Sequence, residues 1–130
     1  RTFAHADVEL FATYSSVPVI NALTDDYHPC QLLADMQTWI EHRGDVQGKT
    51  VCWLGDGNNM CQSYINAAKI LGFHLKIACP EGFEPSTKLM DEAQGYATIE
   101  HDPRRASEGA RLSLRQVAEA ARKPCTVTPH

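Results

Sequence analysis

The chain has 130 residues, 43% of them apolar and 22% charged, a length and balance suited to one globular domain with its own core. Its formal net charge of −4 leaves no broad basic surface, which counts against nucleic acid as a partner, and no apolar run approaches the about 20 residues that a membrane helix needs. No signal-peptide pattern opens the chain, and because its first residue is Arg1, a processed product or a piece of something longer is expected.

In chain order, residues 5–15, "HADVELFATYS", have Val8, Phe11 and Ala12 at helical spacing and predict a short amphipathic helix. "VPVINAL" (17–23) is apolar and β-branched with Pro18 near its start, which predicts a short strand near a sheet edge. After the turn "TDDYHP", residues 29–42 have a helical pattern with Leu32, Leu33, Met36, Trp39 and Ile40 on one side, ended by Gly44 and Gly48. Residues 49–59, "KTVCWLGDGNN", are a buried-strand pattern running into a glycine turn, and 60–71 form the next helix, closed by Gly72. A strand over 74–80 stops at Pro80, a helix over 86–95 closes at Gly95, and a weaker strand over 97–102 ends at Pro103. "RLSLRQVAEAARKP" (111–124) is expected to be a helix rather than a strand, and "CTVTPH" has little pattern. The β-α-β-α-β order in the middle predicts an α/β fold, a doubly wound parallel sheet with helices on both faces.

The cysteines, Cys30, Cys52, Cys61, Cys79 and Cys125, are odd in number and contain no C-x-x-C pair. They are expected to be buried, reduced thiols of a cytoplasmic protein. The histidines do not pair with cysteines at ligand spacing, so no metal site is expected. His5 and His42 are expected on helix surfaces, His74 at a strand start, and His101 beside an Asp in a loop. Trp39 and Trp53 are expected in the core, and the charges of "DPRRASE" are expected to form a solvated face.

Two short motifs bear on chemistry. "GDGNN" (55–59) follows a strand and opens a helix, where doubly wound sheets bind ligands. Its glycines permit close approach of a ligand to the backbone, and a helix N-terminus favours an anionic group. The same residues also suit a tight turn with Asn58 or Asn59 as helix cap. The motif is not a dinucleotide fingerprint, because Met60 stands where G-x-G-x-x-G needs glycine. "HPCQ" (28–31) places Pro29 at a first helical position and His28 near the N-cap, where the helix dipole favours a neutral, hydrogen-bond-donating imidazole. Gln31 lies three residues on and can project toward the same helix end. An imidazole N–H and an amide suit a planar group carrying both a carbonyl oxygen and an NH₂, whereas a histidine cap with a solvated glutamine is the reading without a ligand.

"VPVINAL…HPCQLLAD", "GKTVCWLGDGNNM" and "NAAKILGF" together closely resemble the ornithine carbamoyltransferase family over residues 1–110. The Asn-Asn after the strand, absent from aspartate carbamoyltransferases, favours ornithine over aspartate. The resemblance implies that His28, Pro29, Cys30 and Gln31 bind carbamoyl phosphate. In that assignment His28 donates to the carbamoyl carbonyl oxygen and Gln31 meets the carbamoyl NH₂, the two as catalytic residues. It also implies that Asn59 binds ornithine, with Asn58 beside it shaping the loop. The reaction implied is transfer of the carbamoyl group to the ornithine side-chain amine, giving citrulline and phosphate, with no metal or organic cofactor. The implied partners are these two small substrates, without nucleic acid or membrane, in a cytoplasmic, trimer-based homo-oligomer serving arginine metabolism.

Residues 1–42 are expected to be the end of a carbamoyl-phosphate domain with an inter-domain helix. Residues 43–110 are expected to be part of an ornithine domain, and 111–130 to depart from the family pattern. The family's Ser-Thr-Arg-Thr, Ser-Met-Gly and His-Cys-Leu-Pro elements do not occur in this sequence, so the chain alone is expected to be inactive. Other readings of the motifs are a carbamoyltransferase for another amine or acid and a non-catalytic ligand-binding module on the same fold. A nucleotide-binding oxidoreductase domain is disfavoured, because no acidic residue closes the second strand, "IACP".

Overall fold

The computed structural model describes residues 1–115. Nine elements follow in chain order: helices α1 (His5–Tyr14) and α2 (Pro29–Arg43), strand β1 (Thr50–Leu54), α3 (Asn59–Leu71), β2 (His74–Ala78), α4 (Thr87–Glu92), β3 (Ala97–Ile99), α5 (Pro103–Ser107) and β4 (Leu112–Arg115). The four strands form one sheet in the order β3-β2-β1-β4, and every pairing is parallel.

Alternation along β1 decides what covers each face. Val51 and Trp53 point into the larger core with Leu75 and Ile77 of β2, under Tyr64, Ile65 and Ala68 of α3. Cys52 and Ala78 point to the opposite face, where they meet Ala106 of α5. The sheet is thus covered by helices on both faces, and strands buried on both sides read as continuous apolar runs. From β1 the chain winds through α3 to β2 and through α4 to β3, and then returns through α5 to β4 on the far side of β1. The connections therefore change direction between β1 and β4, which makes the carboxyl end of β1 the topological switch point.

Helix α3 is the best-specified element. Asn58 caps it, its side chain accepting from the N–H groups of Met60 and Cys61, and Gly72 closes it in the left-handed conformation at φ 70°. Such caps satisfy backbone groups that a helix end otherwise leaves open. Helix α2 packs on α3 through Leu32, Met36 and Trp39, a spacing of four and three residues that forms one stripe. Leu33 and Ile40, expected on the same side, are 62% and 50% exposed.

Several expectations are corrected. Residues 17–23 form no strand: the sheet contains only β1–β4 among the described residues, and without a neighbouring ladder an apolar β-branched run stays irregular. The helix expected from 111 is overturned at its start, because Leu112–Arg115 pair with Val51–Leu54 as β4; residues 116–124 of that expectation lie outside the described residues. In this segment Leu112 and Leu114 are the half-buried positions and Ser113 and Arg115 the exposed ones, the period of two that a half-buried strand requires. The helix expected over 86–95 is only Thr87–Glu92; the charges of "DPRRASE" are exposed as expected, on a short helix α5 capped by Asp102 whose Ala106 is fully buried. Cys30 is exposed rather than buried, while Cys52, Cys61 and Cys79 are buried free thiols; Cys125 lies outside the described residues.

Candidate functional site

The glycine turn at the end of β1 is rigid, for a reason the sequence did not disclose. Gly57 donates its N–H to the carbonyl of Phe83 at 2.7 Å. A Cβ at Gly57 would lie 2.1 Å from the Pro85 nitrogen and 2.5 Å from the Glu84 carbonyl carbon. The close approach that requires glycine here is thus made by the chain's own backbone, not by a ligand. The Trp53 indole N–H donates to the Asp56 carbonyl at 3.0 Å and pins the other side of the turn. The start of α3 is held in place by these contacts within the chain.

The second motif lies at the start of α2. His28 is its N-cap and Pro29 its first residue. The His28 Nδ1 accepts the Gln31 backbone N–H at 3.4 Å. A ring nitrogen that accepts a hydrogen bond carries no proton, so the imidazole N–H of the neutral ring is on Nε2. The His28 backbone N–H donates to the Ser63 hydroxyl at 2.8 Å, and that hydroxyl donates to the Asn59 carbonyl at 2.7 Å. The Asn59 amide donates through Nδ2 to the Thr24 carbonyl at 3.0 Å. Thr24 is fully buried and closes the turn before His28: its N–H donates to the Tyr27 carbonyl and its hydroxyl accepts the Tyr27 N–H. His28 and Asn59, 31 positions apart in sequence, therefore share Ser63 as a common tie.

Gln31 does not fold back to the helix start. Its side-chain Nε2 donates to Asp35 Oδ1 at 3.0 Å, one turn further along α2. The other Asp35 oxygen, Oδ2, accepts the hydroxyl of Tyr64 on α3 at 2.8 Å. Burial first, then the hydrogen bond and the charge of Asp35, push the Tyr64 hydroxyl well above its ordinary value and keep it protonated as the donor. Asn58 serves the helix cap described above. Cys30 donates its thiol to the Asn21 carbonyl at 3.4 Å.

Burial raises the thiols of Cys52, Cys61 and Cys79; Cys79 also faces the charges of Glu84 and Asp56. These thiols stay neutral and are poor nucleophiles. Among the described residues no cluster of three His, Cys, Asp or Glu could hold a metal ion, and no helix is long and apolar enough to cross a membrane. An apolar cleft of about 510 Å³ lies between α2 and α3, walled in part by Tyr27, Pro29, Leu32, Ser63, Asn66 and Ile70; His28, Gln31 and Asn59 are not in its wall. The remaining histidines are placed by structure. His5 is half-buried rather than on the surface, edge-on to Tyr27 at 4.9 Å, and His101 contacts the Cys79 carbonyl at 2.9 Å.

Sequence reasoning missed Ser63, Thr24 and the Asp35–Tyr64 pair. Asp35 stands inside the quoted "LAD", but nothing local shows that a tyrosine 29 positions later meets it.

Comparison with known proteins adds a lineage to this geometry. Residues 1–41 match the carbamoyl-P binding domain of aspartate/ornithine carbamoyltransferases, and residues 47–117 match their Asp/Orn binding domain. The ornithine carbamoyltransferase of Methylococcus capsulatus is 60% identical over 117 residues, which are 90% of this chain and 39% of the relative. The anabolic ornithine carbamoyltransferase of Pseudomonas aeruginosa is 53% identical over 137 aligned positions, covering all of this chain and 45% of the relative. The crystal structure of the ornithine carbamoyltransferase from Burkholderia thailandensis superposes with a TM-score of 0.87 at 46% identity, over 92% of this chain and 42% of that one. The chain thus spans about two-fifths of the length of the relatives it matches.

Proposed function

The chain belongs to the aspartate/ornithine carbamoyltransferase family, and we propose that it is a segment of an ornithine carbamoyltransferase. The reaction is attack of the uncharged side-chain amine of L-ornithine on the carbamoyl carbon of carbamoyl phosphate. A C–N bond forms, the C–O bond to phosphate breaks, the amine loses a proton, and citrulline and phosphate leave. Its identity to relatives named for ornithine supports ornithine as the acceptor.

The observation that carries this reading is the capping geometry of His28. Its Nδ1 is occupied by the Gln31 N–H, which leaves Nε2–H as a fixed donor for the carbamoyl oxygen as negative charge develops there. Such preorganisation costs nothing at the moment of reaction, and holding two substrates in register supplies much of the rest. Gln31 meets the carbamoyl NH₂. Pro29 and Cys30 supply the helix start, whose N–H groups favour the anionic substrate. Asn59, tied to Thr24 through Nδ2, keeps Oδ1 as an acceptor for the ornithine α-ammonium, and Asn58 holds that helix end rigid.

On this reading residues 1–42 are the end of the carbamoyl-phosphate domain with the helix that leaves it, and 43–110 are part of the ornithine domain. The complete enzyme is a cytoplasmic, trimer-based homo-oligomer of arginine metabolism that needs no cofactor. The test is a panel of acceptors with carbamoyl phosphate, run on the complete polypeptide that carries this segment. Citrulline from ornithine, with at least about a hundredfold lower kcat/KM for putrescine, N-acetylornithine and aspartate, is the expected result. Preference for any of the other three overturns ornithine as the substrate, and no turnover with any acceptor favours a binding module.

A further inference from the structure

Resting on that reading, we propose that Asp35, anchored by Tyr64, is a positioning residue that fixes which end of the Gln31 amide faces the carbamoyl group. Gln31 is exposed on α2, and an exposed glutamine turns its amide freely. A half-turn exchanges an acceptor oxygen for a donor NH₂. An enzyme that selects a carbamoyl group needs the acceptor, because the carbamoyl NH₂ offers only donors.

The geometry makes that choice. A carboxylate only accepts hydrogen bonds, so the amide end that faces Asp35 Oδ1 at 3.0 Å is Nε2. Oε1 is then the end left for the substrate. Asp35 is itself held, because its second oxygen accepts the Tyr64 hydroxyl at 2.8 Å. Tyr64 is fully buried and its ring lies 5.8 Å from that of Trp53, the β1 residue whose indole pins the glycine turn. Rotating Asp35 away would strand a buried hydroxyl, a costly event. A rigid core residue of the sheet unit thereby sets the orientation of an exposed amide on α2.

The chemical consequence is discrimination between acyl phosphates. Carbamoyl phosphate presents an NH₂ to Oε1; acetyl phosphate presents a methyl group and gains nothing from the fixed amide. The experiment measures the inhibition constant of acetyl phosphate and the dissociation constant of carbamoyl phosphate on the complete enzyme, for wild type, Asp35→Ala, Tyr64→Phe and Gln31→Ala.

Loss of one oriented hydrogen bond predicts that Asp35→Ala lowers the carbamoyl-over-acetyl preference about fivefold, and Tyr64→Phe about twofold, with acetyl phosphate affinity held within about twofold. Adding Asp35→Ala to Gln31→Ala should change the preference no further, as expected of residues that act through one another. Tyr64→Phe keeps the ring in the core and covers the case in which Asp35→Ala does not fold. Tight binding of carbamoyl phosphate with an unchanged preference in both variants overturns the positioning role and leaves the function standing. Equal weakening of both ligands also overturns it, because it marks a structural defect. Failure of wild type to bind carbamoyl phosphate overturns the function and this inference together.

Discussion

Helices α1 and α3 are of similar length and opposite fate. The ten residues of α1 bury none of their side chains, its N-cap Ala4 makes no side-chain bond, and Phe11 and Tyr14 are 71% and 83% exposed. The 13 residues of α3 bury six, and the helix has a side-chain cap at one end and a left-handed glycine at the other. Local pattern makes both of them helices, but only packing gives one of them tertiary stability. The proposed site straddles this divide: His28 and Gln31 begin the helix that links the two regions, and Asn59 opens the helix of the packed one. The join combines the apolar stripe of Leu32, Met36 and Trp39 on α2 with polar ties through Ser63, Thr24 and Asp35.

Substitutions can break that contrast. Ile77, fully buried in β2, should cost about 3–4 kcal/mol when cut to alanine, the usual range for a core cavity. A urea midpoint that barely moves would show that the sheet unit is not the stable part. Asn58→Ala removes a cap that serves two N–H groups and should cost about 1 kcal/mol; Asn58→Asp, which keeps the acceptor, should restore most of it in the same titration. In the 130-residue chain by itself, Phe11→Ala on α1 should stay within about 0.5 kcal/mol, as for exposed positions. A loss as large as that of Ile77→Ala would mean that α1 packs against something.

Alkaline pH sharpens the comparison further. Tyr64 has its ordinary value of 10.0 raised in the folded state. The neutral form is therefore the one that folding favours, so its contribution is complete below about pH 10 and fades as pH rises above that. Tyr64→Phe should flatten the loss of stability between about pH 10 and 12, measured by thermal melts across that range. An unchanged slope would mean that Tyr64 ionises as freely as it does in the unfolded chain.

The sequence disclosed the β-α-β-α-β centre because each element there carries its own period and its own stop: Gly44 ends α2, Gly72 closes α3 and Pro80 follows β2. The cap role of His28 was readable from Pro29 after it. What failed depended on partners far away in sequence. The run 17–23 is apolar with β-branched Val17, Val19 and Ile20 but has no strand to pair with, whereas 112–115 pairs with β1 in a stretch whose continuation reads as helical. Gly57 looked like room for a ligand until the 83–85 backbone was placed against it. The Gln31–Asp35 contact has the helical i, i+4 spacing, but the tyrosine that gives it direction comes from another helix.

The central claim is that the imidazole of His28, oriented by its own helix, stabilises the carbamoyl oxygen. It is tested most directly by steady-state kinetics of His28→Ala in the complete enzyme, beside His42→Ala, an exposed histidine in the last turn of the same helix. Loss of an oxyanion donor predicts a kcat lower by about 10²–10³ for His28→Ala, with the His42 variant unchanged. A kcat for His28→Ala within about threefold of wild type would contradict the account, since an oxyanion donor cannot be removed so cheaply.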